Sequence, residues 1–90
     1  MKGDATFRPG QHVVARTVGD ELVLLDYQGE VYYGLNAVGS RIWELIAGGA
    51  TIAAVTDTLV REYEIAREDL QHDVERLIGE LVKCGLLVGV

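Results

Sequence analysis

The chain has a single cysteine, Cys84, and a single proline, Pro9, among its 90 residues. One cysteine excludes an internal disulfide and leaves no Cys-x-x-Cys pair, and it fits a reducing compartment. Basic charge is scarce: 8 Lys and Arg face 14 Asp and Glu, for a net charge of −6. Long-range electrostatics therefore oppose contact with nucleic acid or an anionic membrane. No apolar run approaches the roughly 20 residues that span a bilayer. Met1-Lys2-Gly3-Asp4 also lacks the apolar centre of a signal peptide. These absences predict a cytoplasmic protein with neither nucleic acid nor membrane as a partner.

Catalytic patterns are equally sparse. His12 and His72 lack a His-x-x-x-His or Cys companion, whereas a metal site needs three or four convergent ligands. The glycines at 29, 34, 39, 48 and 49 fit neither nucleotide-binding fingerprint, and Gly48-Gly49 reads as a helix stop. Cys84 ends an apolar helix stripe, so it reads as a small buried or half-buried side chain rather than a nucleophile. The expectation is a non-enzyme with no catalytic residues, no metal and no cofactor.

What is present is apolar patterning. Hydrophobic residues make up 49% of the chain, which suits one domain that must bury nearly all of them to be stable. Residues 1–11 hold the only proline and no periodicity, and read as a flexible N-terminal arm; residues 12–90 read as the domain. Three strand-forming runs, His12 to Val18, Glu21 to Tyr27 and Glu30 to Leu35, are separated by Gly19-Asp20 and Gln28-Gly29 turns. In the third run Val31, Tyr33 and Leu35 share one face, and Glu30, Tyr32 and Gly34 the other.

At Asn36 the period becomes helical. Asn36 is a suitable N-cap, and Val38, Ile42, Leu45 and Ile46 follow on one face, with Trp43 at its margin. Thr51 caps a second helix carrying Ile52, Val55, Leu59 and Tyr63. A third helix begins near Ala66 with the stripe Leu70, Val74, Leu77, Ile78 and Leu81, and stops at Gly85. The predicted fold class is α+β: a three-stranded antiparallel β-meander followed by a three-helix, winged helix-turn-helix bundle.

A helix-turn-helix raises DNA binding as an alternative, with Arg67, Gln71, Arg76 and Lys83 as contacts. Between residues 67 and 83, however, five acidic residues (Glu68, Asp69, Asp73, Glu75, Glu80) outnumber three basic ones, which suits phosphate poorly.

The ordered segments Val23-Leu24-Leu25-Asp26, Tyr32-Tyr33-Gly34-Leu35-Asn36, Gly39, Ile42-Trp43-Glu44-Leu45, Glu62-Tyr63, Asp73-Val74 and Gly85-Leu86-Leu87 closely resemble the PqqD-like family. The resemblance runs from about residue 12 to 88. It implies a recognition element for ribosomally made, later modified peptides (a RiPP recognition element): a domain that binds the leader segment of a precursor peptide and presents it to enzymes. In that family the leader lies as an added strand along the third strand, in the groove against the third helix. Carried over, the peptide-binding candidates are Glu30, Val31, Tyr32, Tyr33 and Gly34 on the strand, and Asp69, Leu70, Asp73, Val74, Arg76 and Leu77 on the helix. Val31, Tyr33, Leu35, Leu70, Val74 and Leu77 would equally serve as core. The implied partners are the precursor leader peptide and a leader peptidase or other modifying enzyme of the pathway. The lasso-peptide type is preferred over a chaperone for a radical-SAM enzyme in quinone cofactor biosynthesis.

Overall fold

The computed structural model describes residues 3–90. Its elements are β1 (Phe7–Pro9), β2 (Val13–Val18), β3 (Glu21–Asp26), β4 (Val31–Leu35), α1 (Ala37–Ala47), α2 (Ile52–Glu62), α3 (Arg67–Lys83) and β5 (Leu87–Gly89). The fold is α+β. β2, β3 and β4 form an antiparallel sheet in that order, and the three helices follow. The meander, the helix order and the α3 stripe are those expected from the sequence.

The sheet register separates two faces. Leu22 pairs with Leu35, and Leu24 with Tyr33, on the face toward the helices; Leu25 pairs with Tyr32 on the outer face. Leu24 and Leu35 are buried, while Tyr32 is 69% exposed, as a period of two requires. Below the sheet, Ile42, Trp43 and Ile46 of α1, Ile52, Val55 and Leu59 of α2, and all five stripe residues of α3 complete one core.

Capping sets the helix bounds. Asn36 Oδ1 accepts from the Gly39 N–H at 2.8 Å, and Thr51 Oγ1 accepts from the Ala54 N–H at 3.1 Å, so each cap satisfies a donor that the helix itself leaves unpaired. α1 and α3 both end in the 6→1 and 5→2 bond pair that a left-handed residue permits. In α3 the Leu86 N–H donates to Leu81 O and the Gly85 N–H to Val82 O, with Gly85 at φ 78°.

Three expectations change. The connection from β3 to β4 occupies residues 27–30, so Glu30 precedes the strand instead of starting it. Asp26 Oδ1 accepts from the Gln28 and Gly29 N–H groups, and Glu30 closes the turn at φ 57°, a left-handed conformation uncommon outside glycine. Cys84 is exposed, not half-buried. The helix ends at Lys83, and beyond the turn at Gly85 it is Leu86 and Leu87 that are buried.

The third change concerns the arm. Met1 and Lys2 lie outside the described residues, but the rest is docked. β1 pairs antiparallel with β5, Phe7 opposite Gly89 and Pro9 opposite Leu87. Further back, Ala5 O accepts from the Ile52 N–H at 3.3 Å and Gly3 O from the Ala53 N–H at 2.9 Å. These are the first-turn amides of α2, which lack intrahelical partners. The arm is held because a helix end and a short terminal strand both need its backbone.

Candidate functional site

β4 is an edge strand, paired to β3 on one side only. A strand paired on one side directs alternate N–H and C=O groups to its free edge without a strand partner. β2 is the other edge of the same sheet, but five of its six residues are exposed. β4 differs because a cleft of about 300 Å³ runs beside it. Tyr33, Gly34, Leu35 and Asn36 form one wall; Val38, Gly39 and Ile42 of α1 lie at the base; Asp73, Arg76 and Leu77 of α3 form the facing wall, with Ile65 from the α2–α3 connection.

The walls are held together by one polar network. The Tyr33 hydroxyl donates to Glu80 Oε2, and Arg76 Nη1 donates to Glu80 Oε1 at 3.2 Å. This ties β4 to α3 across 47 residues of sequence. The hydrogen bond from Tyr33 is the main reason that the Glu80 carboxyl sits below its ordinary value, and the charge of Arg76 adds to it. The same bond, together with partial burial, raises the Tyr33 phenol above its ordinary value. Both shifts favour a neutral phenol donating to a charged carboxylate, a strong pairing for its size. Asp73, in contrast, has no ion-pair or hydrogen-bond partner through its side chain among the described residues, and it is exposed in the cleft wall.

Of the candidates named from the sequence, the cleft gathers Tyr33, Gly34, Asp73, Arg76 and Leu77. Leu70 and Val74 have no exposed surface and sit wholly in the core, whereas Leu77, at 8% exposure, reaches the cleft. They support the wall from behind and offer a visiting peptide nothing to touch. Val31 is half-buried and packs against the core, Tyr32 is on the outer face, and Glu30 and Asp69 are exposed outside the cleft lining. Residues that the sequence reading did not place at the site are Leu35, Asn36, Val38, Gly39, Ile42, Ile65 and Glu80. Asn36 carried a signal as the cap that brings the start of α1 alongside β4. Ile65 carried another, as an aliphatic residue in the short connection between two helices. The Tyr33–Glu80 contact had none.

The cleft has the form of a peptide-binding edge: free backbone groups on one side and apolar hollows for alternate side chains on the other. Among the described residues, no group of three His, Cys, Asp or Glu side chains comes together as a metal site would need. No described helix is long and apolar enough to cross a membrane.

Comparison with known proteins agrees with this geometry. A family model described as coenzyme PQQ synthesis protein D (PqqD) matches residues 21–87. A structure of TbiB1 in complex with the TbiA(beta) leader peptide is 35% identical, with a TM-score of 0.82 over 89% of this chain and 93% of that one. A structure of a lasso peptide synthetase B1 complexed with the leader peptide is 28% identical, with a TM-score of 0.87 over 93% of this chain and 99% of that one. No curated protein gives a significant match.

Proposed function

This chain belongs to the PqqD family, and we propose that it binds the leader segment of a ribosomally synthesised precursor peptide of the lasso type. The leader adds as a strand to the free edge of β4 and sends alternate side chains into the cleft against α3. The observation that carries this reading is that a cleft with apolar and charged walls lies along the β4 edge, whereas β2 is exposed along nearly all its length. An added strand gains backbone bonds at either edge, and at β4 its side chains also meet the cleft. The likeness to two leader-bound proteins over nine-tenths of the chain supports it further.

The chain makes or breaks no bond in this role. By holding the leader it keeps the rest of the precursor at high local concentration near a leader peptidase or other modifying enzyme. The work takes place in the cytoplasm, where the precursor is made. The DNA-binding alternative loses ground because both arginines of α3 are already engaged: Arg67 pairs with Asp57 at 2.6 Å and Arg76 with Glu80 at 3.2 Å. Little basic charge is left on that helix for phosphate.

The test is a titration with the leader of the precursor encoded beside this chain, followed by fluorescence anisotropy. Saturable binding at about micromolar concentration or tighter is expected. Asp73→Ala should change affinity while leaving thermal stability unchanged, and Leu70→Ala should cost about 2–5 kcal/mol of stability. A leader that does not bind the folded chain at that concentration sinks the proposal.

A further inference from the structure

Five of the apolar side chains around the cleft form the core or pack against it, and a sixth is more exposed. Leu35, Ile42 and Leu77 belong to the core, while Tyr33 and Val38 pack against it. Ile65 lines the same cleft and is 37% exposed. It lies in the connection between Glu62, where α2 ends, and Arg67, where α3 starts. Tyr63 anchors one end against the core, and the Arg67–Asp57 pair anchors the other. Between them, neither Glu64 nor Ile65 makes a backbone hydrogen bond among the described residues, and Ala66 caps α3 without a side-chain bond. The segment that carries Ile65 is thus held at its ends and not by backbone bonds in its middle.

An aliphatic side chain held at a cleft mouth on such a segment gains hydrophobic free energy only when something covers it. Its β-branched side chain has little rotamer freedom to lose on contact. Ile65 precedes the first turn of α3, whereas Arg76 and Leu77, which also line the cleft, lie in its third turn, so Ile65 stands toward the start of α3. Resting on the leader-binding reading above, the geometry points to Ile65 as a specificity-determining residue. It is a clamp that closes over one bulky apolar side chain of the bound leader and presses it against Val38, Ile42 and Leu77. An aliphatic or aromatic leader residue is accepted at that point, and a charged or small one is not.

The test uses the full chain and a fluorescein-labelled leader of the precursor encoded beside it, with thermal melts run in parallel on wild type, Ile65→Ser and Ile65→Leu. Ile65→Ser should weaken leader binding about tenfold, in the range that one apolar contact controls, with an unchanged melting midpoint. Ile65→Leu should bind nearly as wild type. The loss in Ile65→Ser should vanish when one particular apolar leader residue is already alanine, because the pair is then broken from both sides. If wild type binds and Ile65→Ser binds equally well, the clamp is wrong and leader binding stands. A lowered melting midpoint in Ile65→Ser would also overturn the clamp, by showing that the side chain serves the fold. If wild type binds no leader, the reading beneath the clamp fails and the clamp with it.

Discussion

If the leader is held as a strand, its own backbone must show it. β4 has five residues, Val31 to Leu35, and its pairing with β3 uses the groups on one side. About two or three of the five residues therefore present N–H and C=O to an incoming strand. A scan in which single leader residues are N-methylated removes one donor at a time and leaves every side chain, and the protein, unchanged. A net hydrogen bond is worth about 0.5–1.5 kcal/mol, and a methyl group between two paired strands also forces them apart. Because about 1.4 kcal/mol is tenfold in affinity, each sensitive position should lose about tenfold or more. The sensitive positions should number about two or three and recur at every second residue, with near-normal affinity between them. Competition titrations against the labelled, unmethylated leader read this directly. A scan in which losses follow the identity of the side chains, with no alternation, would refute strand addition. Side-chain docking into the cleft would then have to explain binding by itself.

Two further outcomes follow from contacts elsewhere in the fold. A Cβ at Gly10 would stand 2.6 Å from Gly85 O and 3.0 Å from Val13 Cγ2. The Gly10 N–H also donates to Leu86 O at 3.0 Å, which fixes the approach. Gly10→Ala should therefore cost about 1–3 kcal/mol, as overpacking does, and lower the melting midpoint by about 4–8 °C per kcal/mol; a melt equal to wild type would show that the arm is not docked this way. The second outcome concerns pH. The Glu80 carboxyl is held below its ordinary value, so its bond with Tyr33 stabilises fully above the unfolded carboxyl's pKa and fades as pH falls through the lower folded value. The Tyr33 phenol is raised, so its share is complete below the unfolded phenol's pKa of 10.0 and fades as pH rises through the folded value. The stability difference between wild type and Tyr33→Phe, measured by urea denaturation, should be flat near neutrality and narrow in both acid and alkali. A difference that widened in acid would contradict the assignment of donor and acceptor.

The elements were legible in the sequence because local chemistry marks them. Asn36 and Thr51 are cap residues used as caps, and the Leu70-to-Leu81 stripe keeps its period and is buried throughout. What escaped the reading depends on distant partners. Phe7 to Pro9 has no periodicity because three residues are too few to show one, and its strand exists only because β5 lies opposite. β5 itself was legible as a helix exit but not as a strand, for the same reason. The Tyr33–Glu80 bond joins residues 47 apart, each with an ordinary local role. Gln28-Gly29 marks the turn in the sequence, yet Glu30 is the residue in the left-handed region.

The cleft was half legible for a different reason, which bears on how such a small protein can be selective. A domain of this size has too few apolar residues to keep a separate set for binding. Leu35, Ile42 and Leu77 are each at most 8% exposed, and they form the cleft by the small part of themselves that the core leaves uncovered. Residue type therefore does not distinguish Leu77, which reaches the cleft, from Leu70 and Val74, which do not; only position on the stripe does. Changing any of these walls risks the core, since burying less apolar area there costs stability directly. The parts that can change without that cost are the carboxylate of Asp73 and the side chain of Ile65. A backbone edge that accepts any extended peptide, a cleft shape fixed by the core, and a few side chains outside it divide the work of binding. On the proposals made above, affinity for a strand comes from the first two, and preference among leaders rests on the third.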